Sequence, residues 1–218
     1  MAQYRAFCEA NPNLTIDKVT DDSFRPYGII RHVDELQTIL KIAENAVEVP
    51  ESGNRYVPEV SALTEFPAIQ ALMHTIFGGL PGQAGICVGT NVVLNGFEFH
   101  QCSEGLIAIE DCVLILGRRA ELCDGNYPSE KVAYFYMEKG QVVELFSTSL
   151  HYTPCRVGKS FGTIVLLLKG TNLPLQNPSG LLTKTNKWFI THASVTEKIA
   201  QGAFPGLIGT IPSITPLA

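Results

Sequence analysis

The sequence predicts a mainly β fold, an antiparallel β-barrel preceded by helices. Three observations carry that reading. From Ala84 onward, short apolar segments rich in Val, Ile, Phe and Tyr recur with turn residues between them and no helical period. Before that point, two stretches repeat apolar residues at helical spacing. Hydrophobic residues make up 45% and charged residues 17% of the 218, enough to bury a substantial core.

Taken in order, the first element is a helix over Val33–Ala46, with Val33, Leu36, Ile39, Leu40 and Ala43 on one face. Glu48–Glu59 carries Pro50, Gly53 and Pro58 and reads as a loop. Pro67–Phe77 reads as a second helix, because proline suits a first turn and Gly78-Gly79 supplies a stop. Strands follow at Gly85–Leu94, Phe97–His100, Leu106–Ile109, Val113–Leu116, Val132–Met137, Val142–Ser149 and Thr163–Leu168, with Trp188–His192 as a further one. Glu138-Lys139-Gly140-Gln141 reads as a hairpin turn. Strands at such intervals without helices between them predict antiparallel pairing. Residues 1–83 are thus expected as a helical and loop segment packed on a barrel formed by residues 84–218, one structural domain in all. The tail from Gly202 holds three glycines and three prolines. It is expected to lie extended over the barrel or to reach a partner chain across a two-fold axis, and a homodimer is the expected assembly.

Charge narrows the function. A net charge of -5 argues against nucleic acid as a partner, and no Lys/Arg run marks a membrane surface. The opening Met1–Phe7 has no long apolar run, so a secretory signal is not expected, and the longest apolar run is too short for a bilayer span. Six cysteines with no CxxC pair read as reduced thiols, and the expected location is the cytoplasm.

The chemistry concentrates in Glu98-Phe99-His100-Gln101-Cys102-Ser103-Glu104 and in His151. Residues two apart on a strand share a face, so Glu98 and His100 point together while Phe97 and Phe99 enter an apolar layer. A bend through Gln101-Cys102-Ser103 returns Glu104 to them. His151 must arrive from a neighbouring strand. Imidazole and carboxylate are good ligands for divalent first-row metals, and two buried carboxylates are costly without a cation. Glu98, His100, Glu104 and His151 are therefore the candidate metal ligands, with Glu98 and Glu104 also candidates for proton transfer. Glu144 has the opposite strand parity from His151, and Cys102 and Cys155 are softer than a carboxylate-rich set favours.

These residues resemble the cupin superfamily. Its first motif, His-x-His followed after three or four residues by Glu, stands here as Glu98-x-His100, three residues, then Glu104. Its second motif ends on a histidine eleven positions after a glycine, as His151 follows Gly140. The sequence departs from it at Phe146 and Thr148, which occupy the second motif's proline and glycine positions, and at Cys155 in place of asparagine. The blocks Leu94–His100, Thr148–Tyr152 and Lys187–Ile190 are also similar to an uncharacterised bacterial cupin-like family. The resemblance implies a jelly roll holding one divalent metal: zinc, manganese or iron. A small polar substrate, a sugar or sugar acid, would enter at a mouth carrying Lys169, Tyr136, Tyr152 and Lys187. The implied activity is an aldose-ketose isomerase or a lyase. An Fe(II)-dependent dioxygenase and a non-catalytic sugar-binding barrel are the alternatives.

Overall fold

The computed structural model describes residues 2–218. Its helices are α1 (Ala2–Ala10), α2 (Leu36–Glu44), α3 (Ser61–Thr64), α4 (Pro67–Phe77) and α5 (Thr196–Ala200). The strands begin with β1 (Ile16–Lys18), β2 (Gly28–Arg31), β3 (Asn54–Val57), β4 (Gly82–Gly89), β5 (Gly96–Phe99) and β6 (Glu104–Ala108). They continue with β7 (Cys112–Arg118), β8 (Tyr127–Pro128), β9 (Ala133–Met137), β10 (Val142–Leu145), β11 (Ser149–Leu150) and β12 (Cys155–Arg156). The last four are β13 (Phe161–Leu168), β14 (Leu182–Lys184), β15 (Lys187–His192) and β16 (Phe204–Ile208).

One wall is a fully antiparallel sheet in the order β2-β10-β6-β13-β4-β3. The opposite wall has two parts. In one, β7 pairs with β9, β11 and β12, and β1 adds to β9. In the other, β15 pairs with β5, β14 and β16. The two parts are stitched by an antiparallel bridge between Glu98 and His151, with Glu98 N–H donating to His151 O at 2.7 Å and His151 N–H to Glu98 O at 3.0 Å. Two facing walls, antiparallel except where β1 joins β9 and where β16 joins β15 and β8, closed in this way make a cupin-like jelly roll.

Strand alternation sorts the core into three layers. Leu106, Ala108, Val143, Leu145, Val165 and Leu167 face inward against Leu114, Leu116, Phe135 and Met137 of the other wall. Their neighbours Ile107, Ile109, Val142, Ile164 and Leu166 face outward under α2, α3 and α4. Outside the second wall, Val113, Ile115 and Tyr136 pack with Phe7 of α1 and with Leu207 and Ile214 of the tail. α4 has the predicted bounds: Ile69, Leu72, Met73 and Phe77 are buried, Pro67 opens the helix, and Gly78 closes it at φ 60°. α2 is shorter than its pattern, starting after Glu35, whose φ of 54° breaks the helix.

Two expectations are corrected. Residues 1–83 do not only cap the barrel, since β1, β2 and β3 are strands of its two walls. The turn at Glu138–Gln141, with Gly140 at φ 82°, is not a hairpin. It carries the chain from β9 in one wall to β10 in the other. The tail takes the first of its two expected courses, over its own barrel, where β16 runs parallel to β15 and β8, Ile214 N–H donates to Val92 O and Leu217 N–H to Val157 O. It covers its own barrel edges. All six cysteines are free, and no helix among the described residues is long and apolar enough to cross a membrane.

Candidate metal centre

Glu98 stands on β5, His100 just past its end, Glu104 at the first position of β6, and His151 just after β11. The bend at Gln101-Cys102 carries the chain from β5 in one wall to β6 in the other. Phe97 and Phe99 take the other face of β5, Phe97 edge-on to Tyr127 and Phe99 stacked on Trp188 at 5.3 Å. That anchoring fixes which way Glu98 points. One donor atom from each of Glu98, His100, Glu104 and His151 lies within 4.8 Å of the other three.

Both imidazoles are oriented from behind. His100 Nδ1–H donates to the Asn186 carbonyl at 2.5 Å, leaving Nε2 aimed at the carboxylates. Asn186 is held in turn: its Oδ1 accepts from Gln101 N–H at 2.9 Å and its Nδ2 donates to Thr171 Oγ1 at 2.9 Å. It sits at φ 55°, in the left-handed turn between β14 and β15. His151 Nδ1 faces the Ser149 carbonyl at 3.3 Å, and its Nε2 lies 3.0 Å from Glu104 Oε2. An imidazole that gives one N–H to a backbone carbonyl and turns its other nitrogen to a common centre is the arrangement of a metal-ligating histidine.

Electrostatics favour added positive charge there, a proton or a metal ion. His100 is 1% exposed and its Nε2 makes no hydrogen bond, although Glu104 Oε2 lies 3.3 Å away and Glu98 Oε1 3.8 Å away. With Nδ1 protonated, a bare nitrogen lone pair would face two carboxylates, which is repulsive unless a proton or a metal intervenes. Burial opposes ionisation of Glu104, but the charge and hydrogen bond of His151, with His100 beside it, outweigh it and hold its carboxyl far below the usual range. Burial likewise opposes the charge on Glu98, and the Lys187 ammonium, ion-paired with Oε2, brings its carboxyl below the ordinary value. Burial disfavours the His151 imidazolium, yet Glu104 raises that imidazole above its ordinary value. The four side chains therefore fit a divalent first-row metal by donor type, burial and orientation.

The centre opens on a cavity of about 330 Å³ inside the barrel. Glu98, Glu104, His151, Tyr152 and Lys187 line it. Tyr136 and Lys169 do not. On β9, Phe135 and Met137 take the inward face, so Tyr136 points outward, packs on Tyr4 and Phe7, and donates to Asp111. Tyr134 has the same parity. Lys169 lies beyond the end of β13, with its side chain 62% exposed and Glu59 at 3.9 Å. Glu144 is paired with Arg31 on the outward face, 2.6 Å away.

The cavity also holds groups that spacing alone did not reveal. Tyr56 OH, Thr163 Oγ1 and Asn172 Oδ1 are buried, line the cavity and make no hydrogen bond within the protein. Cys87 lines it too, and burial, with the charges of Glu104 and Glu98, pushes its thiol up to about 12, so it stays protonated. Tyr56 belongs to an edge strand between two prolines, and Thr163 to an apolar run. A single polar residue in such a context carries no spacing signal.

Residues 16–211 match the family described as "Domain of unknown function (DUF4867)". The chain belongs to this family. No curated protein sequence matches it. Among solved structures the DUF4867 chain is similar to a cupin-like protein from Thermotoga maritima, at 14% identity and a TM-score of 0.35, over 74% of this chain and 98% of that one. It is similar to the non-haem α-ketoglutarate-dependent epimerase SnoN of nogalamycin biosynthesis, at 12% identity and a TM-score of 0.39, over 82% and 92%. Salicylate 1,2-dioxygenase from Pseudoaminobacter salicylatoxidans matches at 13% identity and a TM-score of 0.28, over 60% of this chain and 29% of its own. These likenesses concern the β-barrel layout alone.

Proposed function

We propose that this DUF4867 chain is a metal-dependent enzyme acting on a small hydroxylated or keto compound, a sugar or sugar acid, as an isomerase or lyase. The observation that carries the proposal is the pair of backbone-oriented imidazoles meeting two carboxylates at the wall of a cavity with unpaired polar groups. Glu98, His100, Glu104 and His151 would hold the cation. When bound, a divalent metal supplies Lewis acidity toward a carbonyl and its neighbouring hydroxyl.

The remaining chemistry belongs to the chain. Glu104 Oε2 lies within 3.3 Å of both imidazoles and is committed to the centre. Glu98 is tied less tightly, with Oε1 3.8 Å from His100 and Oε2 against Lys187. In this reading Glu98 takes a proton from one substrate carbon and returns it to the next. Lys187 keeps it ionised for that role. Tyr56, Thr163 and Asn172 would pair with substrate hydroxyls, since a buried polar group with no partner costs about 1–3 kcal/mol. Leu106, Val165 and Leu167 form the apolar floor and exclude water from the reacting carbons.

One donor set favours a second reading. Two histidines and a carboxylate with open positions also suit Fe(II) and oxygen chemistry. Metal analysis of the purified protein, followed by a panel of pentoses, hexoses and uronic acids with zinc, manganese or iron, tests the proposal. Turnover without oxygen consumption, abolished in Glu98→Gln with its metal content measured alongside, is the expected result. Iron with substrate-dependent oxygen uptake would replace it with the dioxygenase reading. A protein that binds sugars without turning any over would leave a binding barrel.

A further inference from the structure

A second cleft, of about 170 Å³, shares Tyr152, Lys184 and Lys187 with the metal-side cavity and adds Lys198, Thr183 and Gln201. Three lysines thus border one small space. Lys187 is ion-paired with Glu98. Lys198 has no such carboxylate. Its Nζ donates to Tyr152 OH at 2.7 Å and Asn95 Oδ1 at 3.1 Å, and it lies 4.2 Å from the Tyr152 ring centroid. Lys187 Nζ lies 5.7 Å from the same ring, and both ammoniums also sit over Phe189, at 5.4 and 5.2 Å.

Holding two ammoniums over the same two rings is unfavourable without a counter-charge. Among the described residues, no carboxylate oxygen comes within 4 Å of Lys198 or Lys184, whereas Lys187 has Glu98. Glu197, the neighbour of Lys198 on α5, is exposed. Aromatic faces and neutral oxygens compensate a cation only in part. The cleft therefore carries excess positive charge beside hydroxyl and amide donors, the composition of an oxyanion site. It adjoins the metal side through Tyr152, the residue after His151, and through Lys187, the partner of Glu98.

We infer that this cleft binds an oxyanion, and that the substrate of the proposed reaction is an anionic compound whose phosphate or carboxylate sits between Lys184, Lys187 and Lys198. This assignment rests on the proposed metal-dependent reaction for its substrate, but the cleft can be tested without turnover. The probes are inorganic phosphate and malonate, titrated by calorimetry into the full chain at fixed ionic strength, with metal content measured on the same samples. Wild type is expected to bind at least one of them. Lys198→Gln and Lys184→Gln should each weaken binding about tenfold, as expected for loss of one charge-assisted hydrogen bond. Lys198→Arg should retain most of it. Lys159→Gln, an exposed lysine elsewhere, should change nothing. Lys184 is exposed, so its variant keeps the test open if Lys198→Gln fails to fold.

Preference for phosphate identifies a phosphorylated substrate, and preference for malonate a carboxylated one. The inference is overturned if neither anion binds wild type, if both glutamine variants bind as wild type does, or if Lys159→Gln weakens binding equally. Anion binding in a protein that takes up no metal would uphold the cleft and defeat the proposed reaction. Metal uptake with no anion binding would do the reverse.

Discussion

Replacing Lys187 by methionine should destabilise the metal-free protein much more than the metal-loaded one. The Lys187 and Glu98 side chains are only 17% and 13% exposed. Methionine fills most of the volume but leaves the Glu98 carboxylate buried without its principal counter-charge. Breaking a buried pair from one side costs about 3–5 kcal/mol. The lower end applies, because Glu98 Oε1 still faces His100 at 3.8 Å. For a domain of this size, 3 kcal/mol corresponds to roughly 6–12 °C in melting temperature. The sign with pH follows from the carboxyl. Without the ammonium its folded pKa rises, so the penalty is full near neutral pH and shrinks as acid protonates Glu98.

A metal held by Glu98 supplies the missing positive charge, and the penalty should then fall well below that figure. Urea titrations of Lys187→Met and wild type, in chelator and in saturating zinc or manganese, measure both losses. The double variant Glu98→Gln/Lys187→Met should recover most of the metal-free loss, since no charge is left stranded. Equal losses with and without metal would show that Glu98 does not share its charge with a cation, and would refute the reasoning.

Other outcomes follow from the same geometry. In the metal-free protein His151 holds a proton more tightly than an ordinary histidine. Metal must displace that proton, so affinity measured by titration should rise about tenfold per pH unit up to the raised His151 value and then flatten. A flat profile between about pH 5.5 and 6.5 would contradict it. Burial lowers the Lys198 ammonium to about 8, so sulfate, whose charge is constant in this range, should bind progressively less as pH rises through about 8. A profile that holds to pH 10, as for an exposed lysine, would contradict that. Leu207 is 1% exposed where β16 joins β15 and β8, and Leu207→Ala should cost about 2–5 kcal/mol in urea unfolding. A negligible loss would mean the tail is not part of the barrel's core.

Much of the fold was legible because apolar period and turn chemistry agree. Pro67 and Gly78 bracket α4, and the alternation of β6, β10 and β13 is read directly as inward and outward faces. β1 and β3 were not, because Ile16–Lys18 is too short for a period and Asn54–Val57 lies among prolines. The break in Val142–Ser149 was hidden as well. Ser147-Thr148 forms a turn, with Ser149 N–H donating to Phe146 O, so parity cannot be carried across it to His151. The cluster's residue types were visible in sequence, and Glu98 and His100 share a face by parity. Glu104 returns through the expected bend at Gln101-Cys102, whereas His151 reaches them through its bridge to Glu98, a tertiary fact. Tyr136 was misplaced because its aromatic strand gives no sign of which face meets the cavity. Asn186, which orients His100, is one polar residue in a hairpin turn, and only its left-handed backbone marks it.

Metal occupancy by residue is the most direct test of the account. Wild-type protein purified with zinc, manganese or iron present should retain one ion per chain. An anomalous-scattering map should place it among Glu98, His100, Glu104 and His151, and His100→Ala and His151→Ala should each lose it while remaining folded. Retention of a full equivalent by both variants, or a bound ion elsewhere in the barrel, would contradict the central claim.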